Sequence, residues 1–598
     1  MSQFTQSETD QTIFRSPSRA SEPIIQVALI NFHDKTVGVP DCLIPHDNLE
    51  SSFGIVNIQI RDEIPIIPAI YFSYTVDRSG SMSSICADGR SKMEHILHTL
   101  ENMLRIFHKK TGSKISIRVQ SFDSDIFIDV DTVEDLGSKT QEELNAIIAK
   151  VRQISPQGST NIEKALIASN AHIDAYIKDH PSTHVAHIFL TDGEISDGSH
   201  DKTYLKTLVS KDYPNIFMGY GLEHDAALLK SLASSGLHNE YRLVDHLEKA
   251  GLVYGEVIHQ LLYPAVEEVS LLAESCELYD YVTNTWTSKL DVGNLISEQQ
   301  KIFHIRTTTP KQALIAISGR TLHQTKQFEV LSDDIVFQTH AMPVKVETGC
   351  KCDLTNYLFR QRTQEYLFKT NDLLEKQHNL DHKPADPFSR YNILYQEDKH
   401  QKNKKDDEYQ KIREEKAVLK QQIKDFFKTM LDYIETHNLK ENEFYKVLCD
   451  DMYIAIKSFD TLHGMMYTAA RQTSQGRQQT YSSVPTQEQT QDLIADYQIQ
   501  DDDDNDDQMG DLMLCSMAAQ PVLKRGVSLA SNSFRSPNFN TATRPTQDDQ
   551  DLDLDLNYTL SQKQTSAYSS LGVLKMMREV SYHPPEPKED DASGLNLP

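Results

Sequence analysis

The chain has 598 residues but only one Trp and seven Cys, and no two of those Cys form a Cys-x-x-Cys pair. That absence excludes the usual zinc-ribbon and RING frameworks. An odd number of irregularly spaced cysteines also makes no disulfide framework, which suits a reducing compartment. No stretch approaches the roughly 18 consecutive apolar residues that a membrane helix needs. The first twenty residues, MSQFTQSETDQTIFRSPSRA, lack the basic start and apolar core of a secretory leader. A cytoplasmic or other reducing intracellular location is therefore expected. No Gly-x-x-x-x-Gly-Lys-Ser/Thr loop occurs, so the chain carries no P-loop of its own. Basic residues are also scarce, with 60 Lys and Arg against 87 Asp and Glu and a formal net charge of −27. Such a balance argues against nucleic acid or an anionic membrane as partner.

Only 38% of the residues are hydrophobic, so part of the chain is expected to stay outside any core. Residues 1–23 are Ser/Thr/Gln-rich and read as disordered, as does 485–598, which holds 20 acidic and 8 basic residues. This tail contains DDDDNDD (501–507) and DLDLDL (551–556). The former lacks the glycine and terminal glutamate of a calcium loop and reads as a solvated acidic run. Ser16-Pro17 and Ser536-Pro537 are candidates for phosphorylation.

Between these ends the texture changes several times. Residues 24–68 contain short strands that could join a later β segment. From 69 to 263, apolar strands such as IYFSYTV (70–76) and HVAHIFL (184–190) alternate with amphipathic helices. That order predicts an α/β fold with a doubly wound, mostly parallel sheet. Residues 264–348 read as a β-rich domain of short β-branched and aromatic strands. Residues 353–470 are helical around a linker, HNLDHKPADPF. Apolar residues spaced through 412–434 allow a coiled coil, although an ordinary amphipathic bundle fits the irregular seam better.

Three short segments carry chemistry. Asp77-Arg78-Ser79-Gly80-Ser81 ends one predicted parallel strand, and Thr191-Asp192-Gly193 ends another. Gly158-Ser159-Thr160-Asn161 stands just before a helix. Loops at the C-terminal edge of an open α/β sheet line its ligand crevice. Two carboxylates and three hydroxyls gathered there make an all-oxygen site. Such a donor set suits Mg²⁺ or Mn²⁺ better than zinc. In Asp-x-Ser-x-Ser a tight loop turns alternate oxygens to one side, and Gly80 permits the bend. A cation held by so few charges keeps positive character and can accept one more carboxylate, from a protein partner.

In this order, DRSGSM, GSTN and LTDGE resemble a von Willebrand factor A domain with a complete metal-ion-dependent adhesion site. The resemblance covers about 69–263. It implies a Rossmann-like fold and a metal-dependent protein-binding module rather than an enzyme. It further implies Asp77, Ser79, Ser81, Thr160 and Asp192 as the metal site, with Mg²⁺ usual and a partner's Asp or Glu completing it. A segment including LDVGNLISEQQKIFHI vaguely resembles the region after such domains in some plant and protist proteins.

The alternatives are a Mg²⁺-dependent hydrolase or phosphoryl-transfer enzyme with Asp77 as nucleophile, or a partner subunit of an ATPase. Such enzymes need a second acid two residues on, where this chain has Ser79. Cys350 and Cys352, and the helix-spaced His95, His98 and His108, lack convergent ligands. Asp123 and Asp125 flank a turn that could support the metal-side loops, and the simpler reading is a hairpin turn.

Overall fold

A computed structural model describes, with internal gaps, residues 24–343, 354–381, 399–479 and 568–581. Cys350, Cys352, Ser16, Ser536, both Asp-rich runs and all of 1–23 lie outside the described residues.

Strands β1 (Ile24–Asn31) and β2 (Ser52–Gln59) form an antiparallel pair. The α/β unit then begins. Its strands are β3 (Ile70–Asp77), β4 (Ile115–Phe122), β5 (Ile126–Val133), β6 (His184–Thr191), β7 (Asn215–Tyr220) and β8 (Glu240–Val244). Its helices are α1 (Lys92–Lys109), α2 (Gln141–Val151), α3 (Ile162–Asp179), α4 (Lys202–Leu208), α5 (Ala226–Ala233) and α6 (Ala250–Leu262). The sheet order is β5-β4-β3-β6-β7-β8, parallel throughout except for the edge strand β5.

Every residue of β3 is buried, as expected for a strand covered on both faces. Phe72, Tyr74 and Val76 pack with Met93, Ile96 and Leu100 of α1 and Val253 and Val257 of α6. Tyr71, one position out of phase, stacks on Tyr176 of α3 at 3.8 Å. The period of two in the strand thus feeds helices on opposite faces. Helix α1 starts cleanly because Ser91 caps Glu94 N–H and the Glu94 carboxylate accepts from Ser91 N–H.

The chain next forms β9 (Pro264–Glu274), β10 (Glu277–Asp280), β11 (Thr285–Thr287), β12 (Lys289–Ile296), β13 (Gln300–Thr307), β14 (Leu314–Thr325) and β15 (Glu329–Ser332). One sheet runs β1-β2-β13-β10-β11 and a second β12-β9-β14-β15. Leu29, Val56, Ile58, Val266, Leu271, Ile305 and Ile317 share one apolar core between them. Since β2 pairs with β13 along its full length, the α/β unit is inserted between two strands of this sandwich.

Helices α7 (Thr355–Asp381), α8 (Lys399–Thr436), α9 (Glu443–Ser458) and α10 (Gly464–Arg477) share a core of Phe359, Leu367, Ile423, Met430, Leu448 and Met452. Two sequence boundaries move. The expected linker begins at His378, yet α7 continues to Asp381 with Leu380 buried. The bundle also runs to Arg477 rather than ending at 470.

A larger correction concerns 485–598, expected to hold no stable fold. Within it, α11 (Leu571–Val580) is a capped helix whose Val573, Leu574, Met576, Met577 and Val580 are buried. Ten residues are too few for a stable isolated helix, so its order comes from docking. Gly255 of α6 lies against the Met577 backbone, and a Cβ there would also come 3.0 Å from the Met576 carbonyl carbon. Asn102 of α1 donates to Val580 O at 2.7 Å, and Gly572 N–H donates to Glu298 at 3.0 Å. Average composition concealed this short apolar island in an acidic segment.

Gly255→Leu keeps α6 helical but fills the space that the Met577 backbone occupies. Hydrogen exchange should show the 571–580 amides losing protection while β3 and β6 keep theirs. Unchanged protection in α11 would contradict this docking.

Candidate functional site

The sheet changes winding direction between β3 and β6. The chain passes from β3 through α1 to β4 on one side, whereas β6 lies on the other. Ligand crevices of doubly wound sheets open at such switch points, and all three signature loops meet there.

Ser79, Ser81, Thr160 and Asp192 line one open cleft of about 530 Å³ with Gly80, Gly158, Ser159, Gly193, Glu194 and Ser196. The hydroxyls of Ser79 and Ser81 stand 3.0 Å apart, and Ser81 donates to Asp192 Oδ1 at 2.7 Å. Asp77 lies beneath this floor and is wholly buried. Its Oδ1 accepts from Ser79 N–H at 2.8 Å and its Oδ2 from the Thr191 hydroxyl at 2.5 Å. All five sequence candidates therefore converge, four at the cleft and Asp77 under it. Burial pushes the Asp77 carboxyl up to about 6, against the lowering effect of the Thr191 and Ser79 hydrogen bonds; the Asp192 charge raises it further.

The loops are fixed to one another through backbone. Gly80 N–H donates to Gly158 O at 3.2 Å, and Gln157 N–H to Arg78 O at 2.6 Å. Gly158 has φ +73°, and a Cβ there would come 2.9 Å from Asp123 Cβ. Thr160 O accepts from Ser196 and Asp197 N–H, and Thr160 N–H donates to the Ser196 hydroxyl. Asn161 caps α3 through Lys164 N–H and donates to Asp197.

Asp123 does more than turn the β4–β5 hairpin. Its carboxylate accepts from Asp125 N–H, its carbonyl accepts from Asn161 N–H, and its side chain packs on Gly158. The histidines do not converge: His98 meets Asn102, whereas His108 meets Lys139 O.

The sequence places Thr191 and Gly193 in a site segment without giving either a role, and it does not mark Lys92. A Cβ on Gly193 would sit 3.3 Å from Thr160 Oγ1 and 3.5 Å from Ser81 Oγ, so glycine keeps the space between these hydroxyls clear. Lys92, the first residue of α1, sends its ammonium 2.8 Å from Asp192 Oδ2, and both side chains are largely buried. No local motif marks such a lysine, because its partner lies 100 residues away.

The donors fit a hard cation. They are hydroxyls and carboxylates on an open cleft, a set matching Mg²⁺ or Mn²⁺. Among the described residues, no group of three or more His, Cys, Asp and Glu could hold a metal ion, so a softer nitrogen–sulfur centre has no counterpart there.

No family model matches this chain, and no curated protein matches it as a relative. Solved structures do. A von Willebrand factor type A protein from Catenulispora acidiphila is 12% identical, covering 62% of this chain and 84% of its own at a TM-score of 0.39. VWA2, the ArnB paralog from Sulfolobus acidocaldarius, is 11% identical, covering 76% and 98% at a TM-score of 0.39. Two of the similar structures are thus von Willebrand factor A proteins. Proximal thread matrix protein 1 of the mussel byssus, with a zinc-occupied MIDAS motif, is 16% identical over 34% and 47% at a TM-score of 0.26.

Two measurements check that geometry. Gly158→Ala combines a left-handed backbone with a clash against Asp123, and should cost about 1–3 kcal/mol in urea unfolding. A change below about 0.5 kcal/mol would contradict the packing. The second concerns pH. With its carboxyl raised to about 6, folded Asp77 holds a proton that the unfolded chain releases above about pH 4. Stability therefore falls as pH rises through that window. In chelator, wild type should lose up to about 3 kcal/mol relative to Asp77→Asn between about pH 4 and 6. A flat difference would contradict the raised carboxyl.

Proposed function

We propose that this chain is a metal-dependent protein-binding scaffold or adaptor rather than an enzyme. The observation that carries this reading is the convergence of Ser79, Ser81, Thr160 and Asp192 on one open cleft above buried Asp77. Ser79, Ser81, Thr160 and Asp192 would hold Mg²⁺, or Mn²⁺, through oxygens at the cleft, with Asp77 completing the five from beneath, its carboxylate fixing Ser79 and Thr191. When bound, the ion supplies a Lewis-acidic positive charge at the cleft, able to take up an Asp or Glu carboxylate of a partner protein. The residues themselves set the rest. The backbone-linked loops keep the hydroxyls in place, and Gly193 leaves the approach open. The two carboxylates balance a divalent ion, and the three hydroxyls add no further negative charge.

The phosphoryl-transfer alternative gains less support. Asp77 is buried with both oxygens engaged, whereas a nucleophile must meet its substrate. Lys92 reaches Asp192 rather than Asp77.

Affinity capture with the full chain, in Mg²⁺ and in chelator, tests the reading. Wild type should retain a set of proteins in Mg²⁺ that is lost in chelator, and Asp77→Ala should fail to retain it in either buffer. Mg²⁺ should also raise the melting temperature of wild type but not of Asp77→Ala. If neither chelator nor substitution alters capture or melting, the metal-site assignment is wrong.

A further inference from the structure

Lys92 breaks a local rule. A cation in the first turn of a helix opposes the helix dipole, and burying its ammonium costs free energy unless it is paired. Here the side chain is about nine-tenths buried and its ammonium lies 2.8 Å from Asp192, whose side chain has no exposure. The lysine comes in from the end of α1 and passes the mouth of β7, where a Cβ on Gly221 would be 3.6 Å from Nζ. Sequence and packing thus bring a fixed positive charge onto the carboxylate whose other oxygen accepts from Ser81 at the cleft.

We infer that Lys92 sets the charge of this site, weakening its hold on a divalent cation while strengthening the loaded site's hold on an acidic group. The inference rests on the cation-binding reading above and deepens it. Ionised Asp77 and Asp192 contribute −2 and Lys92 contributes +1. A divalent ion then brings the cluster to +1, whereas without the lysine it would be neutral. Glu194 also lines the cleft but is exposed to solvent, where its charge is screened. A neutral loaded site offers an incoming carboxylate little attraction; a site at +1 attracts it at short range in a partly buried setting. Lys92 also repels the ion itself. The same charge therefore acts with opposite sign on the two binding steps, which a merely structural ion pair would not do.

The test uses the full chain with Mn²⁺ alone as first probe, read by electron paramagnetic resonance of the free ion. Lys92→Met, which keeps length and apolar bulk, should bind Mn²⁺ at least roughly ten-fold tighter than wild type, and Lys92→Arg should bind like wild type. The second probe is propionate added to the Mn²⁺-loaded chain, read as the fall in water-proton relaxation when a carboxylate displaces ion-bound water. Lys92→Met should respond only at several-fold higher propionate. If loss of the lysine unfolds the chain, Lys92→Met with Asp192→Asn replaces the ion pair by two neutral groups of similar shape. That double variant should bind Mn²⁺ more tightly than Asp192→Asn alone. Unchanged or weaker Mn²⁺ binding on removing the lysine, in either background, overturns the inference while leaving the cation site standing. Absence of Mn²⁺ binding in wild type and every variant overturns both.

Discussion

The parallel pairing of β3 with β6 is the constraint on which the site depends. The two strands run in register from Ile70 opposite His184 to Val76 opposite Leu190. Their last residues therefore arrive together, and the Thr191 hydroxyl reaches Asp77 across the strand ends. A slip of one residue would turn Asp77 to the other face of the sheet. The hydrophobic alternation of β3, split between the α1/α6 face and the α3 face, is what forbids that slip. Core packing thus sets the position of two carboxylates in a place that packing alone would leave empty of charge.

The third loop is located differently. Thr160 does not sit on a sheet strand, and its place comes from backbone contacts. Its carbonyl accepts from the loop after β6, and the preceding Gly158 carbonyl accepts from the loop after β3. Asp123 at the end of β4 packs beneath Gly158, so a third strand end braces the cleft. Away from the cleft, edge strand β8 is tied to the rest of the chain by charge. Burial pushes the Glu240 carboxyl up, but Arg242, Arg477 and Lys301 bring it down to about 2. Arg477 at the end of the helical bundle bonds both Glu240 and the Asn239 carbonyl. Arg360, fully buried, bonds Ile302 O of β13 and Gln475 O of α10. These contacts join β8 and β13 to the helical bundle.

Most of the α/β sheet was legible in the sequence because its strands are continuous apolar runs and its helices carry one apolar face each. The five candidate residues were legible for a related reason. They are polar groups where apolar texture stops and glycine begins, four of them at or just after the ends of strands β3 and β6 and Thr160 just before helix α3. Lys92 was not legible, because a lysine in a first helical turn reads as solvated until its partner across the fold is known. Asp123 read as a hairpin residue, which it is, and its support of Gly158 depends on a contact 35 positions away that no spacing rule encodes. Helix α11 was hidden by averaging: two buried methionines and two valines among acidic neighbours do not move a composition window, yet they suffice to cover a waiting surface.

That surface has a consequence for the order in which the chain becomes whole. The glycine-floored face of α6 is made by residue 262, but what covers it is made only after residue 570. During synthesis the inserted α/β unit can close its sheet while this face is still bare, and the sandwich around it can close only once β13 has emerged. The apolar residues of α11 therefore seal a helix laid down some three hundred residues earlier. A chain cut short within its acidic segment would keep every residue of the cleft and still present an uncovered apolar strip on the helix that closes the unit bearing it.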